Sequence, residues 1–172
     1  ELLNIGCNAA EISNGSVEIS TKRMCELIRM SKKLGLDVFT EVGKKNPSDD
    51  LTVDEYHNQI NEYLSAGSKK VIIEARESGA EVGVMDAKGI PNDNMVKDII
   101  KDIDINNIIF ESPRKNQQIY FLTNFGQDTN LGNIAPSDVI SLETLRRGLR
   151  GDSLNHFYEV IGGRHLKNQK LD

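Results

Sequence analysis

Four glutamates stand near the ends of four successive short apolar segments. The segments are AAEIS, VFTEV, VIIEA and IIFES, and the glutamates are Glu11, Glu41, Glu74 and Glu111. Strand interiors disfavour glutamate, so this repetition indicates a functional site rather than chance. Carboxylates that converge repel one another, and a metal ion or basic side chains must offset their charge. The pattern therefore predicts a site for a divalent cation such as Mg2+, with the four glutamates as candidate metal ligands.

Basic and hydroxyl side chains follow two of these glutamates at even spacing. Residues two apart in an extended strand share a face, so Lys45 should lie on the side of Glu41, and Arg76 and Ser78 on the side of Glu74. Such an alternation of acids and bases suits a dianionic ligand that is held by Mg2+ and cationic groups. For any single glutamate, an ion pair that only holds the strand ends together is an equal alternative.

A second candidate site follows the last apolar segment, NLGNI. Gly132 and Asn133 end that segment, and small residues let backbone N–H groups approach an anion. Arg150, after the next predicted helix, would supply a bidentate guanidinium. Barrel enzymes often bind phosphate at the loops after their last two strands, so we predict substrate-binding roles for these three residues. For Arg146 and Arg147 we expect a solvated basic helix end.

The elements that would position these groups alternate along the chain. Apolar runs predict short strands at residues 8–13, 36–42, 71–75, 108–111 and 129–134, each followed by an amphipathic helix. Ser20 and Thr52 are expected to cap the first two helices, and Pro113 to lie in the first turn of the fourth. This order requires a parallel sheet covered by helices, which fits both a doubly wound sheet and a (β/α)8 barrel. In both, ligands bind at the carboxyl edge of the strands.

Composition excludes several classes of protein. The chain has 172 residues, of which 38% are hydrophobic, and this suits one globular domain. Its net charge of −5 and lack of a basic cluster argue against nucleic acid as a partner. Its apolar runs are too short to span a membrane, and two cysteines do not make a disulfide framework. We therefore expect a cytoplasmic protein that binds neither membranes nor nucleic acid.

The first residues suggest an incomplete chain. The sequence opens ELLNIGCNAAEIS, without a methionine, and runs almost at once into a predicted strand. We expect residues 1–153 to form the C-terminal part of a single barrel domain, and residues 154–172 to form a helical or flexible tail. A barrel needs eight strands and five are predicted, so an open sheet would expose two edges. A homo-oligomer is one way to cover them.

Six stretches, in order, resemble the phosphosulfolactate synthase family. They are EISNGS (11–16), EVGKK (41–45), VIIEARESG (71–79), IIFESPRKNQQ (108–118), NLGNI (130–134) and ISLETLRRGLRGDS (140–153). The resemblance covers about residues 7–153. It implies an α/β fold of the (β/α)8 TIM barrel type, of which this chain supplies about five βα units, strands 4 to 8. The family's first three strands are absent, and Ser112-Pro113 stands where relatives have alanine-proline.

The resemblance also implies a reaction. The family adds sulfite to phosphoenolpyruvate with Mg2+, giving (2R)-phospho-3-sulfolactate, which in methanogens begins coenzyme M synthesis. Lys45 matches the second lysine of the EVGKK motif and would be the general acid, and Arg76 would neutralise sulfite or the phosphate. Relatives without that pathway exist, including plant heat-stress-associated proteins. The alternative is therefore a non-catalytic member that acts in stress protection or protein interaction, and another phosphoenolpyruvate lyase or mutase chemistry is a third.

Overall fold

The computed structural model of the protein describes residues 1–14, 17–43, 51–75 and 84–158. The strands in these ranges are β1 (Ala9–Ile12), β2 (Asp37–Val42), β3 (Lys70–Ile73), β4 (Ile108–Glu111) and β5 (Leu131–Gly132). The α-helices are α1 (Thr21–Lys33), α2 (Val53–Ala66), α3 (Asp93–Ile99), α4 (Lys115–Phe125), α5 (Val139–Arg146) and α6 (Gly151–Phe157). Short 3-10 helices lie at Leu2–Ile5, Ile105–Asn107 and Pro136–Asp138.

The five strands form one parallel sheet in sequential order, β1-β2-β3-β4-β5. Right-handed crossovers between consecutive neighbours put all the connecting helices on the same side of a sheet. Accordingly α1 packs against α2, α2 against α3, and α4 against both α5 and α6. A doubly wound sheet instead changes strand order at a switch point. The observed order confirms the predicted parallel α/β sheet and is compatible with part of a TIM barrel.

The two faces of the sheet have different surroundings. On one face Val38, Val71 and Phe110 are almost fully buried against the helices, in the main hydrophobic core. On the opposite face Phe39 and Ile72 are only partly buried. Because side chains alternate along a strand, the second face is the one that the helices in the described ranges leave uncovered.

Local capping signals were predicted well. The Ser20 side chain accepts a hydrogen bond from the Arg23 N–H at 3.3 Å and begins α1. Thr52 and Glu55 form the reciprocal capping box of α2, in which the Thr52 N–H donates to the Glu55 carboxylate at 2.8 Å. Both helix starts depend only on residues three apart in the sequence, which is why the sequence alone could specify them.

The predicted start of the fourth helix was wrong. Pro113 precedes α4, which begins at Lys115 with Arg114 as its N-cap residue. The Gln117 side-chain oxygen accepts a hydrogen bond from the Arg114 N–H at 3.0 Å, and this capping contact fixes the start two residues later.

The end of the chain also differs from the prediction. The helix expected after Pro136 ends at Arg146, because Gly148 takes a left-handed φ of 66°. A separate helix, α6, then crosses the predicted boundary between domain and tail at residue 153. The rest of the predicted tail, residues 159–172, lies outside the described residues.

Two composition-based expectations can be compared with the fold. Among the helices of the described ranges, none combines the length and apolar character that crossing a lipid bilayer requires. Cys7 and Cys25 are both free thiols, with Cys7 partly exposed and Cys25 buried. Burial raises the pKa of the Cys25 thiol, and the nearby Glu62 carboxylate raises it further, so this thiol is a poor nucleophile.

Candidate functional site

The glutamates of the first three strands lie on the uncovered face of the sheet. Glu11 is paired with Phe39, which shares its face with Glu41, and Glu41 is paired with Ile72, which shares its face with Glu74. Glu41 therefore lies two residues beyond Phe39, the partner of Glu11. Glu74 likewise lies two residues beyond Ile72, the partner of Glu41. All three lie near the carboxyl ends of their strands, on the face opposite the helix-covered core.

Glu74 and Glu111 are in direct contact. They are level with each other because Ile73 is paired with Phe110, and their side chains share a hydrogen bond. Glu111 Oε2 also accepts a hydrogen bond from the Ala75 N–H at 3.0 Å. Only 4% of Glu74 is exposed and Glu111 is half-buried, so Glu74 is shielded from water and Glu111 is shielded in part.

This contact changes the acidity of Glu111. Burial raises the pKa of the Glu111 carboxyl above its usual value, and the neighbouring Glu74 raises it further. The Ala75 N–H and the Asn133 side chain, which both hydrogen-bond to Glu111, act in the opposite direction. A pair of carboxyl groups in this state either shares a proton or requires a positive charge beside it.

Asn133 belongs to the same cluster. It has a positive φ of 55°, which is uncommon for residues other than glycine but tolerated by asparagine, and its side chain reaches Glu111. The residue before it, Gly132, packs closely against the neighbouring strand, because a Cβ there would lie 3.1 Å from Ile109 Cγ2. The substrate-binding roles of Gly132 and Asn133 stay predictions.

Gly43 is a position whose structural role the sequence did not reveal. It has a φ of +124°, and a Cβ there would lie 2.8 Å from the Glu74 Cβ and 3.2 Å from the Tyr56 Oη. Glu41, two residues earlier, is also buried, with 8% exposure. A glycine directly after a strand that carries a glutamate near its end was the available signal, but the close approach of Gly43 to Glu74 is visible only in the fold.

Glu11 lies apart from the Glu74–Glu111 pair. It is exposed and belongs to β1, at the far side of β2 from Glu74. Its role as a metal ligand stays a prediction.

The arginines after α5 make different contacts. Arg150 Nη1 donates to Ser141 Oγ at 3.1 Å, which ties the start of α6 to α5. Arg146 donates to the Gln127 carbonyl at 2.5 Å and is partly buried, so the expectation of a solvated helix end was wrong for this residue. Arg147 is exposed and paired with Glu143, as expected of a basic helix end.

Three predicted residues cannot be located. Lys45, Arg76 and Ser78 lie outside the described residues, and their predicted roles stay predictions.

The donor set is compatible with Mg2+ in kind and number. Within the part of the chain that the structure describes, no group of three or more His, Cys, Asp or Glu residues lies close enough to hold one metal ion. Mg2+ in proteins is usually bound by one or two carboxylates and completes its octahedron with water and substrate oxygens. Glu74 and Glu111 supply such a pair, and a cation bound there would offset the repulsion by Glu74 that helps to raise the pKa of Glu111.

Fold and site together define a class of protein. A sequentially ordered parallel sheet has its helices on one face and a carboxylate pair, partly shielded from water, at the carboxyl edge of two neighbouring strands. This edge is where α/β barrel proteins bind ligands.

Comparison with known families identifies the class more closely. The model of the (2R)-phospho-3-sulfolactate synthase family matches residues 1–152. The chain therefore belongs to the phosphosulfolactate synthase family.

Three curated relatives carry the same name, phosphosulfolactate synthase. The protein of Methanocaldococcus jannaschii is 48% identical over 155 residues, which cover 89% of this chain and 62% of the relative. The protein of Methanothermobacter thermautotrophicus is 43% identical over 156 residues, with coverages of 90% and 60%. That of Bacillus subtilis is 42% identical over 151 residues, with coverages of 86% and 59%. The chain thus spans about 60% of the length of the relatives it matches.

Proposed function

We propose that the protein takes part in the addition of sulfite to phosphoenolpyruvate, giving (2R)-phospho-3-sulfolactate. The observation that carries this proposal is the contact between the buried Glu74 and the half-buried Glu111 at the carboxyl edge of the sheet, in a chain of the phosphosulfolactate synthase family. The substrates would be these two anions, and the enzyme would work in the cytoplasm. The family resemblance supports the choice of substrates, and the carboxylate pair supports Mg2+ as the cofactor.

The proposed fold of the complete domain is a (β/α)8 barrel in which β1 to β5 are strands 4 to 8. Two observations support it. First, the strand order is sequential. Second, the glutamates are offset from one strand to the next: Glu41 lies two residues beyond the partner of Glu11, and Glu74 lies two residues beyond the partner of Glu41. In a barrel of shear 8, residues at one height advance by about one residue per strand. The total advance from β1 to β4 is four residues, against about three for an ideal barrel.

The chemistry requires one new bond and one proton. The sulfur lone pair of sulfite forms a bond to the methylene carbon of phosphoenolpyruvate, and the electrons of the double bond move into the carboxylate. A proton is then added to the carbon that bears the phosphate, and no group leaves. The enzyme must therefore stabilise negative charge on the carboxylate and deliver one proton.

The residues divide these tasks in the proposal. Glu74 and Glu111 would hold Mg2+, with Glu41 and Glu11 as further candidate ligands. Bound Mg2+ would supply positive charge beside the carboxylate that gains electron density. Lys45 would donate the proton and Arg76 would neutralise sulfite or phosphate. Ser78, Gly132, Asn133 and Arg150 would complete the binding of the anions.

A direct test uses phosphorus NMR. The protein, in the length in which its source makes it, is incubated with phosphoenolpyruvate, sulfite and Mg2+. A new phosphate resonance that requires sulfite supports the proposal. No change, or hydrolysis alone, contradicts it and favours the non-catalytic alternative, and a product that forms without sulfite indicates a different phosphoenolpyruvate chemistry.

The cofactor can be tested without turnover. A ligand that binds only the folded state stabilises it, by about 2.7 kcal/mol at a hundredfold excess over its dissociation constant. We therefore expect Mg2+ to raise the melting temperature of the protein but not that of a Glu111→Gln variant. In that variant the side-chain oxygen still accepts from the Ala75 N–H, so the fold should persist. Equal stabilisation of both proteins by Mg2+ would contradict Glu111 as a ligand.

A further inference from the structure

Glu111 is held from both neighbouring strands. From the side of β3, the Ala75 N–H donates to Glu111 Oε2 at 3.0 Å, and Ala75 itself is fully buried. From the side of β5, the Asn133 side chain makes a hydrogen bond to the same carboxyl group. An ionised carboxylate has about four positions that accept hydrogen bonds or ligands. Two contacts from opposite sides of β4 therefore limit the rotation of the carboxylate and set the direction of its remaining positions.

The path of β5 explains how Asn133 reaches Glu111. Gly132 is paired with Glu111, and the Ser112 N–H donates to the Gly132 carbonyl at 2.9 Å, so position 132 shares the uncovered face with Glu111. Because side chains alternate along a strand, an extended residue at position 133 would point to the helix-covered face. Asn133 instead has a left-handed φ of 55°, which ends the alternation and lets its side chain turn towards Glu111.

Gly132 keeps the space beside Glu111 open. Neighbouring strands are about 4.8 Å apart, so any side chain at position 132 would stand directly beside Glu111 on the same face. Its Cβ would also lie 3.1 Å from Ile109 Cγ2. The pair Gly132-Asn133 thus combines a missing side chain with a turn of the backbone, and together these features bring one amide to Glu111.

We propose that Asn133 is a positioning residue for Glu111, whose amide fixes the orientation of the carboxylate that holds the divalent cation. The contact stands on the structure alone, whereas its consequence for Mg2+ rests on the proposed function. This role differs from the direct contact with a substrate anion that the sequence predicts for Asn133. A positioning residue affects cation binding in the absence of substrate, and an anion contact affects substrate binding in the absence of the cation.

Two glycine substitutions separate the side chain from the backbone. Asn133→Gly removes the amide, and because glycine takes a left-handed φ without strain, the end of β5 should keep its path. Asp102→Gly is the matched control, because Asp102 has a similar φ of 62° but lies in the exposed turn between α3 and β4, at the amino edge of the sheet. Both variants relieve the same kind of backbone conformation, so the difference between them isolates the loss of the Asn133 side chain.

Mg2+ binding without substrate measures the consequence. Loss of a group that orients a metal ligand typically weakens metal binding by about 10- to 100-fold. In titration calorimetry we therefore expect Asn133→Gly to bind Mg2+ at least about tenfold more weakly than the parent protein, and Asp102→Gly to bind it equally well. Unchanged Mg2+ affinity of Asn133→Gly, together with weaker binding of phosphoenolpyruvate in the absence of Mg2+, would overturn the positioning role in favour of a direct anion contact.

Proton–nitrogen NMR of the full chain, without Mg2+, tests the contact itself. The side-chain amide resonances of Asn133 are those that the Asn133→Gly spectrum lacks. They should shift in Glu111→Gln, which replaces the carboxylate, and stay in place in Glu11→Gln, the same change on an exposed residue that two strands separate from β4. A structural role for Asn133 that did not involve Glu111 would not produce this selective shift. Unchanged resonances in Glu111→Gln would overturn the contact and the proposal with it.

The outcomes also separate this role from the proposed function. A parent protein that binds no Mg2+ contradicts the proposed cofactor, and the positioning role fails with it. Equal Mg2+ binding by the parent and Asn133→Gly leaves the cofactor standing and overturns only the positioning role. In both cases the resonances of the Asn133 amide decide independently whether it contacts Glu111.

Discussion

Replacing Gly43 with alanine tests whether β2 and β3 are in contact at the site as the structure has them. Gly43 combines a φ of +124° with a position where a Cβ would lie 2.8 Å from the Glu74 Cβ. Carbon atoms in good contact are about 3.5–4.0 Å apart, so either Glu74 or the end of β2 must move. Because the obstructing atom is the first atom of the Glu74 side chain, a change of rotamer cannot relieve the overlap.

The expected cost has two parts. A residue other than glycine in a sparsely populated backbone conformation costs about 1–3 kcal/mol. Overpacking by one carbon in a tight site costs about 1–3 kcal/mol more. We therefore expect Gly43→Ala to lower the free energy of unfolding by about 2–6 kcal/mol, less the small gain from a stiffer unfolded chain.

Gly126→Ala provides the matched control. Gly126 has a φ of +102°, close to that of Gly43, but a Cβ there would meet no atom within 4 Å. This variant should show only the backbone cost, about 1–3 kcal/mol. Urea unfolding of both variants gives the difference, which isolates the contact with Glu74. If Gly43→Ala is no less stable than Gly126→Ala, the described contact between Gly43 and Glu74 is wrong.

Three further predictions follow. Lys45→Ala should abolish the sulfite-dependent phosphate resonance while Lys44→Ala retains it; near-normal turnover without Lys45 would exclude it as the general acid. Burial raises the pKa of Tyr63 from an ordinary 10.0 to about 12, so the folded protein holds this proton more tightly than the unfolded chain does. Stability should thus be intact below pH 10 and fall as pH rises towards 12, and urea unfolding of Tyr63→Phe should show a shallower fall. Phe121→Ala should lower the free energy of unfolding by about 3–5 kcal/mol in the same assay. Phe121 is fully buried and stacked on Phe110, with the ring centroids 4.1 Å apart. A loss below about 1 kcal/mol would contradict that packing.

The common face of the glutamates could be predicted because it depends on short-range rules. Side chains alternate along a strand, and parallel strands bring their carboxyl ends to one edge. Knowing that Glu41, Glu74 and Glu111 each end an apolar run was enough to bring them to that edge. The capping box of Thr52 and Glu55 was predictable for the same reason, since its partners are three residues apart.

The contacts that depend on distant parts of the chain were not predictable. Gln117 and Gly89 are 28 residues apart, and nothing in the sequence around either residue predicts the hydrogen bond between them. The overlap that requires a glycine at position 43 involves Glu74 of the next strand, so it depends on the register of β2 against β3. The late start of α4 likewise depends on the buried Gln117 side chain, which accepts a hydrogen bond from the Arg114 N–H. The general preference for proline in the first turn of a helix had predicted an earlier start.

Register also explains why four similar glutamates differ in their surroundings. If the strands are tilted as in a barrel, the two-residue advances along β1, β2 and β3 compensate for the tilt and bring the four carboxylates to about the same height. Equal height is not contact, because neighbouring strands are about 4.8 Å apart and the spacing accumulates across the sheet. Glu74 and Glu111, level on adjacent strands, do meet in a hydrogen bond. We therefore expect the cation site to centre on Glu74 and Glu111. Because Glu11 lies on β1, two strands away from β3, substitution of Glu11 should weaken Mg2+ binding far less than substitution of Glu111.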